Sequence, residues 1–469
     1  MGAHSEGAGR LGGKGRVPGR ILLSVALALL VCGLTVVATG RYGIYFLFAP
    51  ALVVLLPLFG LRILSNPVQV FCVFLVVIVN LDFLRIQDSR LTADILMSSM
   101  LLYAVLVRVG LEGKVGLRNP VAKAFLAYLA VTFLSVVLSV NVAASVKNWG
   151  RDFEYWIFFL FLSILAMTEG DRRAIVKAVM LSSIIPCVLG LAGMVFHIDA
   201  LYGQQTPVGG GETVHRINST LSHPVTFSDY LALMGLLTLS MIMNGTWYRR
   251  AFLLPLFLLQ ISLLYLTYGR TGWAEFAVGV IALFWMMGKR KVVFVVLPTL
   301  AAGLLALLPT FLGRLQNVFQ SGDNSLLWRF GLWAYALRKF PQKPIFGSGQ
   351  DTFIDYVAYS VGFAAHHTWI GLLVETGILG VGAFLVLQIV LGRGLAKRRR
   401  DPATAGDPLL LGISAGWIGM LVGSFAGDPF NLPAVSIYLW TLLALALRGP
   451  LSGALSPVRS PAAPHGTRP

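Results

Sequence analysis

Two histidines, His366 and His367, stand together where a long polar stretch gives way to an apolar run, Thr368-Trp369-Ile370. That run continues into Glu375-Thr376-Gly377-Ile378-Leu379-Gly380. Histidine can accept a proton near neutral pH. Three arginines occupy similar polar–apolar boundaries. Arg216 follows His215 and a Gly209-Gly210-Gly211 run, Arg270 sits in the hairpin Tyr268-Gly269-Arg270-Thr271-Gly272-Trp273, and Arg329 precedes the histidines. A guanidinium offers a planar fork for phosphate oxygens and never loses its charge. Cations holding a diphosphate beside a base suit attack by an alcohol on a diphosphate-linked sugar. The diphosphate leaves readily, so a cationic clamp can stabilise its charge and no general acid is required.

Each residue alone has a plainer reading. A single arginine at a helix end snorkels to lipid phosphate, and a histidine at a span end is an interfacial polar group. The functional reading is joint: three arginines and two histidines fall at boundaries on one face. A metal site is the competing reading. His197, His215, His223, His366 and His367 share that face, yet none forms an i,i+4 pair or a His-Glu-x-x-His helix. No metal and no cofactor is expected.

These side chains must be carried by a membrane scaffold. The chain is 57% hydrophobic and 12% charged, with mean hydropathy +0.78, which excludes an ordinary soluble globule of this length. Apolar runs of roughly 17–25 residues recur, enough to cross about 30 Å of hydrocarbon as helices. Candidate spans are 21–40, 43–61, 67–84, 92–107, 122–140, 153–168, 174–196, 226–244, 251–268, 271–288, 292–311, 367–392, 408–425 and 433–447. The expected fold is an all-α, polytopic bundle of 12–14 transmembrane helices. Cys32, Cys72 and Cys187 lie inside apolar spans and suggest no disulfide framework.

Charge orients the bundle. With both termini on one side, that side holds 25 of the 37 Lys and Arg and 6 of the 20 Asp and Glu, leaving it about +19 and the other face about −2. Basic loops stay in the cytoplasm. Both termini are therefore expected there: a basic tail over 1–20, a membrane domain over 21–447 and a disordered tail over 448–469. The net charge of +17 is a topology signal, and nucleic acid is not an expected partner.

On the opposite, periplasmic or outer face two loops are long, 197–225 and 312–366. In the second, Leu326, Phe330, Trp333 and Leu337 share one helical face, which suits an amphipathic helix at the membrane interface. Pro341 and Pro344 end it, and Gly347-Ser348-Gly349 turns the chain.

With these residues in view, the chain resembles the bacterial O-antigen ligase family, which includes O-antigen and exopolysaccharide polymerases. The family's late motif, roughly His-Asn-x-x-Leu then Glu-x-Gly-x-x-Gly, is similar to His366-His367-Thr368-Trp369-Ile370 with Glu375, Gly377 and Gly380. Its Arg-Gly-type hairpin resembles Gly269-Arg270-Thr271-Gly272-Trp273. Its earlier arginine resembles Arg216 with Ser219 and Pro224, and its loop pattern resembles Arg329, Trp333, Pro344, Gly347 and Gly349. The likeness covers about 205–385. In two places the chain departs: His367 replaces the usual Asn, and Gly269 stands where serine is common.

The resemblance implies an inverting, metal-independent glycosyltransferase in a bacterial inner membrane. Its donor would be a glycan on undecaprenyl diphosphate, its acceptor a lipid A core sugar or another lipid-linked glycan, with membrane lipids around it. By carry-over, His366 is the general base, and Arg216 and Arg270 bind the diphosphate. His367, Arg329, Glu375 and Arg151 are supporting candidates, with Lys147 and Asp428 weaker ones. The alternative is a lipid-linked oligosaccharide flippase, which would carry its cations in a central cavity rather than at one face.

Overall fold

The start signals in the sequence explain where the helices begin in the computed structural model. Asn119 accepts the N–H of Val121 and, with Pro120, opens the helix Pro120–Val137. Thr168 and Asp171 form a reciprocal capping box ahead of Glu169–Val195, and Asp407 caps Pro408–Gly423. Each such cap satisfies amide groups that a helix start leaves bare, and contributes about 1 kcal/mol.

The structure describes residues 67–80, 98, 101–102, 119–164, 167–203, 205–209, 212–221, 223–244, 247–294, 325–357 and 364–448. In chain order the main helices are α1 Pro67–Ile78, α2 Pro120–Val137, α3 Val142–Ile164, α4 Glu169–Val195, α5 Pro224–Asn244, α6 Trp247–Leu266, α7 Arg270–Met286, α8 Ser325–Lys339, α9 Thr368–Arg400, α10 Pro408–Gly423 and α11 Pro433–Arg448. Four of these, α2, α4, α5 and α9, are long and apolar enough to cross a membrane. The chain is an integral membrane protein built of helices. The expected spans 21–40 and 43–61, most of 92–107 and most of 292–311 lie outside the described residues.

Helix α5 sits at the centre, packed by α6, α7 and α10, while α2 packs on α3 and α9, and α3 on α11. An apolar core joins these helices: Leu236, Leu283, Leu411 and Ala415 bury together between α5, α7 and α10.

The described chain is all-α apart from a short hairpin within the loop 197–225, where β1 Gln205–Gly209 and β2 Glu212–His215 pair antiparallel. Two expected spans differ in detail. Helix α3 starts at Val142, well before the span expected at 153. Its polar first turns are held by the later loop, through Ser145 Oγ to the Gln350 carbonyl at 2.7 Å and Asn141 Nδ2 to Asp355 at 2.8 Å. In α8 Leu332 and Ala336 are buried against the protein, while Phe330 and Leu337 of the expected apolar stripe stay exposed, which leaves that stripe free for the membrane interface.

The span expected at 367–392 is a broken helix. Gly377 adopts φ 68° and ψ −172°, a conformation open essentially to glycine alone. A break inside a bundle strands backbone polar groups, at several kcal/mol for each left unpaired. Here the turn 344–349 takes them up. Ser348 N donates to Val374 O at 3.0 Å and Gly349 N to Glu375 O at 2.8 Å, while Ile378 N reaches Pro344 O at 2.9 Å. Ser135 Oγ adds a second donor to Glu375 O at 2.7 Å. A Cβ on Gly347 would run into the Glu375 carbonyl, and one on Gly377 into that of Ile345. The two glycine motifs are thus two halves of one joint.

Candidate active site

That joint fixes the segment that carries the histidines. Upstream, Trp333 Nε1 of α8 donates to the Ala365 carbonyl at 2.7 Å. Downstream, Thr368 N donates to the carbonyls of Ser424 and Gly427, and Thr368 Oγ1 to Asp428 Oδ1 at 2.9 Å. Between these ties lie His366 and His367. His367 is the N-cap of α9: its Nδ1 accepts the N–H of Ile370 at 3.4 Å. Its ring also stands edge-on to Trp333 and Phe425, at 5.0 and 6.0 Å between centroids. His366 precedes the cap at φ 47°, a left-handed conformation uncommon outside glycine.

The arginines arrive from three other elements. Arg216 follows β2, and its Nε donates to the Thr267 carbonyl at 3.0 Å, so the loop is tied to the end of α6. Ser219 anchors the same loop by donating from Oγ to the Pro186 carbonyl at 2.5 Å. Arg270 opens α7 directly after its N-cap, Gly269. The hairpin is held by Trp273 Nε1, which donates to Leu264 O at 2.9 Å. Arg329 lies on α8.

Electrostatics link these groups. Burial first, then the charges of Arg270 and Arg329, pull Arg216 below the usual guanidinium range. Burial and then Arg270 do the same to Arg329. Burial, Arg329 and His223 lower the pKa of His366, and burial and Arg216 lower that of His223. Residues from four separate segments of chain therefore share one positive field. Such a field has a cost that an anion repays.

Residues 255–385 match the O-antigen ligase family. No curated protein matches the chain. The matched segment holds Arg270, Arg329, His366, Glu375 and both halves of the glycine joint, while Arg216 lies upstream of it. The match supports a role in glycan transfer of the ligase or polymerase kind.

The remaining expected residues fall elsewhere. Glu375 Oε1 accepts the N–H of Phe353 at 3.0 Å, bracing the turn rather than a histidine. Arg151 donates to Asn148 Oδ1 at 2.7 Å, and its charge bears on Asp428. Lys147 is exposed on α3. His215 stacks on Tyr202 at 4.3 Å and meets Gln205 at 3.0 Å. Among the described residues no group of three His, Cys, Asp or Glu is arranged to hold a metal.

Sequence reading missed several groups. His223 was weighed only as a metal ligand, although it lies one residue before Pro224 and near Arg216 in the chain. Asp152 and Gln350 meet at 2.9 Å in a cavity of about 100 Å3 that Ala364, Ala365 and Thr368 help to line, with Asp351, Glu375 and Asp428 also in its wall. Ser228 was also missed. Its Oγ occupies the space that a Cβ on Gly269 would need, so a hydroxyl from α5 stands where the family commonly has serine on the hairpin.

Proposed function

We propose that this protein transfers a glycan from undecaprenyl diphosphate to an acceptor hydroxyl at the outer face of a bacterial inner membrane. The supporting observation is the shared positive field of Arg216, Arg270 and Arg329 around His366 and His223. The arginines hold the donor diphosphate. His366, kept neutral by its surroundings, takes the proton of the acceptor hydroxyl. The acceptor oxygen bonds to the anomeric carbon as the bond from that carbon to the phosphate oxygen breaks. The electron pair leaves with the diphosphate, whose developing charge meets the guanidinium groups. Attack opposite the leaving group inverts the anomeric centre. Positive charge at the diphosphate comes from arginine, so the step needs no resident metal.

The acceptor is a lipid A core sugar in a ligase or the end of another lipid-linked glycan in a polymerase. Purified protein incubated with undecaprenyl-diphosphate glycan and each acceptor tests the reading. One added unit indicates ligation, and a ladder indicates polymerisation. Movement of intact donor across the membrane with no bond cleaved would favour a flippase and sink the proposal.

A further inference from the structure

The 364–375 segment meets two different surroundings. His366 lies in the field of Arg329. Ala364, Ala365 and Thr368 of the same segment line a cavity of about 100 Å3. A single water needs roughly 10–15 Å3 on the same measure, so the space suits a group of ring size. Around it stand Asp152, Gln350, Asp351, Glu375 and Asp428, and the floor is aromatic, with Tyr128, Phe384 and Trp440. Among the described residues no Lys or Arg lines it.

The polar wall is built to accept hydrogen bonds. Gln350 is 2% exposed, and its Nε2 is spent on Asp152 Oδ2 at 2.9 Å. That leaves Gln350 Oε1 buried with no partner in the protein. A buried acceptor left bare costs about 1–3 kcal/mol, a deficit that a bound donor group removes. Four carboxyl groups crowded in a largely buried space with no lining cation disfavour any further negative charge, whether a diphosphate or a carboxylate. An aromatic floor beneath acceptors fits a sugar ring, whose C–H face is apolar and whose hydroxyls donate.

We infer that this cavity is the acceptor subsite and that it selects an uncharged or amino sugar as the terminal acceptor residue, rejecting uronates and phosphorylated sugars. The inference rests on the glycan-transfer reading above. The carboxyl-rich cavity suits the acceptor sugar, while the arginines suit the donor diphosphate. Ala365, which lines the cavity, is the chain neighbour of His366, so a base stands one residue from the bound sugar. Exposed Asp351 and Ala364, with Ile354 at 45% exposure, mark the mouth.

Equilibrium binding of radiolabelled octyl glycosides to nanodisc-embedded protein, read against protein-free nanodiscs and without donor, tests this. Octyl glucoside and octyl 2-amino-2-deoxyglucoside are expected to bind, and octyl glucuronide to bind at least ~10-fold more weakly. Ile354→Trp, which fills the mouth, should weaken binding of the first two at least ~10-fold and leave undecaprenyl diphosphate binding unchanged. Equal binding of glucoside and glucuronide, no glycoside binding, or unaltered glycoside binding by Ile354→Trp would each overturn the subsite. The glucoside–glucuronide comparison needs no variant. Because glycoside binding is measured without donor, absence of transfer would count against the proposed function and leave this measurement standing.

Discussion

His367 caps the helix that His366 only precedes. The cap uses His367 Nδ1 to accept from Ile370, and the ring is wedged between Trp333 and Phe425. His366, in a left-handed turn, is left to the field of Arg329 and His223. Two adjacent residues of the same type thus do different work.

That division gives unequal mutants. His366→Asn tolerates the left-handed turn and removes the base, so transfer should fall about 10²–10⁴-fold with melting temperature unchanged. His367→Asn keeps a good cap and should stay near full activity, whereas His367→Leu should lose about 1 kcal/mol of stability. Transfer of labelled glycan and thermal melting read both. A near-normal His366→Asn enzyme would remove the base assignment.

The acid limb of activity should respond to Arg329. A base works when neutral. Burial, Arg329 and His223 lower the pKa of His366, so kcat/KM should rise with pH through a point below the ordinary imidazole value of about 6.5 and persist above neutrality. Arg329→Gln removes a cation that disfavours the imidazolium. The limb should then move to higher pH, read on whatever activity remains. A limb that stays put would separate Arg329 from His366.

Arginine geometry is testable by conservative change. Arg270→Lys keeps the charge and loses the two-pronged contact, so transfer should drop at least ~10-fold with insertion intact. Arg216→Lys should act likewise. The two changes together should cost less than their sum if both hold one diphosphate. Full activity in Arg270→Lys would indicate a snorkelling role.

The glycine joint predicts a contrast within one helix. Gly377→Ala combines about 1–3 kcal/mol of left-handed strain with a collision against the Ile345 carbonyl, so melting should fall sharply. Gly382 has open space around its missing Cβ, and Gly382→Ala should be neutral or gain about 0.5–1 kcal/mol. Equal melting of the two variants would contradict the break at Gly377.

Ser228 and Gly269 should behave as a pair. Gly269→Ser alone collides with Ser228 and should lower both stability and transfer. Adding Ser228→Gly clears the space and leaves one hydroxyl in the hairpin region, so the double variant should recover part of the loss, read as coupling in a double-mutant cycle. A purely additive result would dissociate the two positions.

Composition and hydropathy alone determined that this chain lies in a membrane as helices. Apolar length is a local property, and nothing distant competes with it. The expected spans 271–288 and 433–447 correspond to the helices α7 and α11. The motif spacing likewise pointed to the family before any contact was known. Long-range contacts decided the rest. The polar stretch 142–152 has no apolar periodicity to mark it as helix, and it becomes the start of α3 because the 350–355 turn holds its side chains. The apolar run after His367 looks continuous because a helix break is invisible when its stranded backbone groups are satisfied from a loop about thirty residues upstream. The identity of the capping histidine, the serine that fills the gap at Gly269 and the acidic cavity that Ala365 lines all depend on residues far apart in sequence. Only packing brings them together, because each is a pairing of side chains whose separation along the chain says nothing of their separation in space.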